Sequence, residues 1–156
     1  MRLLQTLILF LNLLSSTLLL ADSNPLKISH AVVQAGPPTA QVLAGYMVLE
    51  NTSDKTVTLK GASSPLFKAV EFHQTSHEGG MMRMKKQNRI VLAPHAKLVF
   101  KPGSYHLMLI KPKKVLQPGN SVAVTFQITD TKTATVKFTV KLPDSGMSEH
   151  QHHHHH

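Results

Sequence analysis

The chain of 156 residues has no cysteine and no tryptophan. Lack of cysteine excludes a disulfide framework, a thiolate zinc site, an iron–sulfur cluster and a thiol nucleophile. It also excludes a mononuclear blue-copper electron carrier, which needs a cysteine thiolate, and argues against a lipid-anchored lipoprotein. Aromatic residues are only 5% of the chain, too few for an obvious base-stacking surface. Acidic residues are scarce as well, eight against seventeen Lys and Arg, for a formal net charge of +9. A hydrophobic share of 42% with 16% charged residues fits a folded chain, and the length suits one domain. What the chain does have is an unusual stock of eleven His and seven Met.

The two ends account for part of that composition. Residues 1–21 begin with Met1-Arg2 and continue as a leucine-rich run broken at Asn12 and at Ser15 to Thr17. Asp22-Ser23-Asn24-Pro25 then ends the apolar character. A short basic start, an apolar middle and a small residue, Ala21, before the stop are the layout of a secretory signal peptide. An uncleaved anchor is the alternative, since Leu3 to Ala21 just reaches the length of a membrane span. Export to the periplasm is expected, with no integral membrane segment after cleavage. Export argues against nucleic acid as the partner of the excess charge, which reads as a solvated basic surface. At the other end, residues 144–156 form a polar tail with His150, His152, His153, His154, His155 and His156. It reads as a purification tag or as a natural metal-gathering tail. The retained signal segment favours the natural tail.

Between the ends, residues 22–143 read as one all-β domain of short strands. Leu26 to Val33, Ala44 to Asn51, Thr56 to Lys60, Pro65 to His73, Met81 to Lys85, Arg89 to Leu92, Lys97 to Phe100 and Tyr105 to Ile110 are β-rich. Val122 to Ile128 and Ala134 to Val140 form a last hairpin, with Val136, Phe138 and Val140 on one face and Lys137, Thr139 and Lys141 on the other. A polar loop is expected from Gln74 to Gly80, and turns at Lys101 to Ser104 and Gln117 to Asn120. Short strands separated by Pro, Gly and Asn turns argue for a sandwich or barrel.

The chemistry-bearing residues fall between His73 and Met108. His106 and Met108 stand at i and i+2 on one strand, so they project from the same face while Leu107 and Leu109 point to the core. Met82 and Met84 are related in the same way. Thioether is a soft neutral ligand and imidazole a borderline one, a mixture that suits Cu(I) better than zinc or iron. In an oxidising compartment, methionine keeps its donor pairs where exposed cysteines would form disulfides. Met47, in an apolar strand, reads as core filler, Met81 as packing or loop, and His30 and His95 as surface or hydrogen-bonded residues. His77 and Met82 are intermediate: each is a candidate auxiliary donor beside the ordinary reading as a surface or packing residue.

The spacing carries a resemblance. Ten residues separate His73 from Met84, twenty-one separate Met84 from His106, and His106-Leu107-Met108 completes the pattern. This resembles the periplasmic copper chaperones of the PCu(A)C type, whose signature is His, ten residues, Met, twenty-one residues and His-x-Met. The flanks are similar too: Glu71-Phe72-His73, Gly80 to Met84, Lys101 to His106 and Leu116 to Gly119. The chain departs from the family at Ser104, where a second Gly is frequent, at Ile110-Lys111, where Met-Gly is common, and at His77. The resemblance spans Leu26 to Leu142. It implies a cupredoxin-like Greek-key β-sandwich that binds Cu(I) through His73, Met84, His106 and Met108. It further implies delivery of copper to an acceptor protein, a cytochrome c oxidase subunit at its CuA site or another chaperone. The His-rich tail resembles the Met/His-rich extensions of some members, which implies a second ion there, Cu(II) on imidazoles.

Transfer by ligand exchange needs no catalytic base or nucleophile, so a non-enzymatic, monomeric carrier is expected. A copper-buffering or resistance protein with the same site and no delivery partner is the alternative. A structural or adhesive β-sandwich with incidental Met and His is a more distant one.

Overall fold

The structure is a computed structural model that describes residues 24–128 and 132–143. The expected signal segment, 1–21, and the His-rich tail, 144–156, lie outside the described residues. Eleven strands, and no helix, make up the described chain. They are β1 (Leu26–Gln34), β2 (Val42–Asn51), β3 (Val57–Leu59), β4 (Gly61–Ser63), β5 (Phe67–Glu78) and β6 (Met81–Gln87). β7 (Ile90–Leu92), β8 (Lys97–Phe100), β9 (Tyr105–Pro112), β10 (Ser121–Gln127) and β11 (Thr133–Lys141) follow.

Nine strands form one sheet in the order β4-β10-β11-β1-β2-β8-β9-β5-β6, and β3 pairs with β7 in a small second sheet. Two further pairings, β2 with β9 and β4 with β5, close the large sheet on itself. The result is barrel-like, one of the two architectures that the short strands suggested. Closure runs through β4, three residues too short to stand out in the sequence. Ala62 meets Val70 on one side of it and Phe126 on the other. β2 serves two neighbours in succession, with Val42 to Gly45 on β9 and Met47 to Glu50 on β8.

The interior is filled by alternate residues of these strands. Leu107, Leu109, Val122, Val124, Phe126 and Phe138 are fully enclosed, and Met47 joins them as core filler. Phe72 stacks on Phe126 with ring centroids 6.4 Å apart and meets Phe100 edge-on at 6.3 Å. Burial of rings of this size contributes about 2–3 kcal/mol each. Their position also fixes the pleat of β5: with Phe72 held inward, Glu71 and His73 must project from the other face.

One expectation is corrected. The polar stretch Gln74 to Glu78 is strand, and only Gly79 and Gly80 turn the chain. Both glycines have positive φ, +59° and +78°, as a two-residue turn of the primed kind requires. The stretch carries no apolar alternation because this end of the β5–β6 hairpin is bounded by solvent: β6 is exposed from Met81 to Lys86, on both faces.

Candidate metal centre

Register places the four candidate donors on one face of three adjacent strands. In the β5–β9 ladder His73 lies opposite His106, and Glu71 opposite Met108. In the β5–β6 ladder Met84 lies opposite Thr75, and Lys86 opposite His73. Directly opposed residues share a face, and so do residues two apart. His73, Met84, His106 and Met108 therefore all project from the face turned away from Phe72 and Leu107. The two imidazoles are the centre of the group, with ring centroids 5.9 Å apart and planes inclined at 38°. Met84 stands two strands from His106, roughly 10 Å by ladder spacing, so its long side chain has to lean over Thr75 to join them.

Burial grades the four. His106 is 7% exposed and the His73 side chain 13%. Met108 is half-buried, whereas Met84 is 59% exposed.

Hydrogen bonds set the protonation pattern of both rings. His106 Nδ1 lies 3.0 Å from the Ser104 carbonyl oxygen. A carbonyl only accepts, so Nδ1 carries the hydrogen and Nε2 keeps its lone pair. The Lys101–Ser104 turn holds that carbonyl in place: the Ser104 N–H donates to the Lys101 carbonyl at 3.1 Å, and Gly103 supplies φ of +72°. The Thr75 N–H donates to the same Ser104 oxygen, which ties the turn to β5. Because the main chain of Ser104 does this work, the departure from glycine there does not touch the support of the His106 ring.

His73 is oriented by a carboxylate. Its Nε2 lies 3.0 Å from Glu71 Oε2, and Glu71 Oε1 takes the Lys86 ammonium at 2.6 Å. These two hydrogen bonds, His73 first and Lys86 second, hold the Glu71 carboxyl below its ordinary range. An ionised Glu71 only accepts, so His73 Nε2 is the N–H and Nδ1 is the free lone pair. That Nδ1 is buried and has no hydrogen-bond partner, the one such side-chain atom among the described residues. An unpartnered buried nitrogen costs about 1–3 kcal/mol, and a metal ion at Nδ1 would satisfy it. A carboxylate–histidine arrangement of this kind orients metal-ligating imidazoles in general. Glu71, Lys86 and the Ser104 carbonyl were not singled out from sequence. The Glu-x-His spacing on one strand was the available signal for the first.

Among the described residues no three His, Cys, Asp or Glu side chains gather in a metal-holding group. A site here therefore depends on the thioethers, and so on a soft ion. Three other histidines lie among the described residues. His30 sits exposed at the irregularity between Ser29 and Val32, and His95, in the turn after β7, bonds Asp54 at 2.8 Å. His77 opposes Met82 near the tip of the β5–β6 hairpin.

A closed all-β barrel-like body with two opposed imidazoles on one outer face defines the class of fold and site. The chain belongs to the LpqE-like family and is of the PCuAC type: the family described as "Putative lipoprotein LpqE-like" matches residues 26–140. It is similar to Cu(I)-DR1885 from Deinococcus radiodurans, at 34% identity and a TM-score of 0.63, over 78% of this chain and 81% of that one. The copper-bound PCuAC domain from PmoF2 has the same fold, with a TM-score of 0.64 at 23% identity, over 77% of this chain and 95% of that domain. Protein RP573 of Rickettsia prowazekii (strain Madrid E) is 35% identical over 88 residues, 56% of this chain. The chain spans about half, 49%, of the length of that relative. Although the family description speaks of lipoproteins, none of the 156 residues here is a cysteine.

Proposed function

We propose that the protein is a periplasmic copper chaperone that holds Cu(I) on His73, Met84, His106 and Met108. The observation that carries this reading is the His73–His106 pair, in which each ring is fixed by a hydrogen bond and retains one nitrogen lone pair. The PCuAC-type fold and the likeness to Cu(I)-DR1885 support copper as the ion. His73 Nδ1 and His106 Nε2 are the nitrogen donors, and Met108 and Met84 supply sulfur.

All four donors are neutral, so the complex keeps the single positive charge of Cu(I). An acceptor replaces the ligands one at a time, approaching from the exposed Met84 side, and no covalent bond of the protein is made or broken. The process is not enzymatic. The delivery target in this reading is cytochrome c oxidase assembly, at the CuA site. Residues 1–21 direct export, residues 22–143 carry the site as a monomeric domain, and the histidines of 144–156 hold a second ion as Cu(II). In this reading the domain is a cupredoxin-like Greek-key β-sandwich. The non-sequential neighbours β1–β11 and β2–β9 are the kind of crossover it needs.

Competition of the protein with bicinchoninate for Cu(I), without oxygen, tests the site. Replacing both Met84 and Met108 by Leu is expected to weaken Cu(I) binding by about 100-fold or more, some 2.7 kcal/mol. Unchanged affinity would show that the site is wrongly placed.

A further inference from the structure

Two soft donors outside the set of four continue the same face outwards. His77 and Met82 lie directly opposite one another across β5 and β6. They have the parity of His73 and Met84, so they share their side of the hairpin. From the core outwards this face presents His106, His73, Met84 and then the His77–Met82 pair. Exposure climbs along that line, from 7% at His106 and 13% at His73 to 59% at Met84 and 70% at Met82. Successive levels are two residues apart, about 7 Å along a strand. Met84, level with Thr75, stands between His73 and His77. Glu78 and Arg83 approach each other on the opposite face, where Glu78 also accepts from Ser76. The soft side of the tip thus carries no carboxylate of its own. Packing does not explain methionines here, since Met82 and Met84 bury little against the protein, whereas methionine ordinarily serves as core filler.

We propose that His77 and Met82 form an outer Cu(I) station, one imidazole and one thioether, through which the ion passes between the inner site and solvent-borne donors or acceptors. The proposal rests on the reading of His73, Met84, His106 and Met108 as the inner site. Met84 is shared between the two: it holds the ion while bonds to His73, His106 and Met108 break and bonds to His77 and Met82 form. The ion remains Cu(I), and no electron is transferred.

The test is a titration of the protein with Cu(I) under ascorbate and without oxygen, followed by NMR of imidazole and methionine-methyl signals. His150 and His152 to His156 are replaced by Asn so that the tail does not compete. The first equivalent is expected to shift His73, His106, Met84 and Met108, and the second His77 and Met82. In the same protein, His77→Asn with Met82→Leu is expected to abolish the second event and leave the affinity for the first equivalent unchanged. Release of bound Cu(I) to bathocuproine disulfonate is expected to slow about tenfold. If the first equivalent reaches the inner four residues and the second leaves His77 and Met82 unshifted, the outer station is wrong and the inner site stands. If the first equivalent leaves the inner four unshifted, the inner-site reading fails and the outer station falls with it.

Discussion

His73 and His106 face each other across β5 and β9, and each is held by a different kind of acceptor, a carboxylate on one side and a main-chain carbonyl on the other. When neutral, each ring therefore keeps one nitrogen lone pair open, and in the proposed site the remaining adjustment on binding falls to the methionines. Removing the two kinds of donor should accordingly have different signatures. His106→Ala takes out an enclosed imidazole of the proposed site and leaves a gap behind it, so both Cu(I) affinity and stability to urea should fall. Met84→Leu changes an exposed position, so stability should stay within about 0.5 kcal/mol while Cu(I) dissociation accelerates. Parallel urea unfolding and stopped-flow release to a chelator separate the two outcomes.

Glu71 is a positioning residue, and its loss should act through His73. Glu71→Ala frees His73 Nε2 from its acceptor, so the ring is no longer committed to the tautomer that leaves Nδ1 open. Loss of such a support typically costs about 10–100-fold in metal affinity, and that range is expected here. Glu71→Gln keeps an acceptor oxygen and should recover most of the affinity. Imidazole nitrogen NMR of the apo protein supplies the decisive readout: His73 should change tautomer in the Ala variant and His106 should not.

The same carboxylate gives the apo protein a pH dependence of known sign. Hydrogen bonds from His73 and Lys86 lower the Glu71 pKa below its ordinary value of 4.5. A group with a lowered folded-state pKa contributes stability that is fully present above the unfolded value and lost as pH falls through the folded one. Urea midpoints measured downward from pH 6 should therefore drop below about pH 4.5. Lys86→Met should make that drop shallower, because one of the two causes of the shift is gone. An unaltered acid limb in the variant would show that the Lys86 contact at 2.6 Å does not persist in solution.

How much of this was legible in the sequence depends on which side of a strand faced water. β9 and β11 could be read because Leu107 and Leu109, and Phe138 and Val140, alternate with residues of the other face and are all enclosed. The outer half of β5 could not, because Gln74 to Glu78 meets little apolar surface and its polarity reads as loop. Nor could the barrel closure, which depends on a three-residue strand pairing at long range. Within the site, the shared face of His106 and Met108 follows from a spacing of two. The opposition of His73 to His106 depends on ladder register, which no local pattern encodes. Glu71 and Ser104 act through geometry that exists only once that register is set.

Asn51 offers a control on stability away from the site. The sequence marks it only as the end of a β-rich run, yet it is buried at 1% exposure at the end of β2. Its Nδ2 donates to the carbonyls of Lys55, Leu92 and Ala93, and its Oδ1 accepts from the Ser53 N–H and hydroxyl. Asn51→Ala leaves several of these groups unpaired and should cost about 2–3 kcal/mol in urea unfolding. Cu(I) affinity measured well below the unfolding midpoint should not change.

The hairpin turn links the fold most directly to copper handling. Gly79 and Gly80 both have positive φ, and a Cβ at either would meet open space, so a substitution there strains the backbone without a steric clash. Each non-glycine residue forced into that conformation costs about 1–2 kcal/mol. The outer hairpin adds little to the core, so Gly79→Val with Gly80→Val should leave the global urea midpoint nearly unchanged. What should change is the register of β6 on β5, and with it the placement of Met84 over Thr75. Cu(I) release should accelerate as in Met84→Leu, and adding Met84→Leu to the turn variant should give no further acceleration. Additive effects of the two changes would mean that Met84 reaches the imidazoles without the turn.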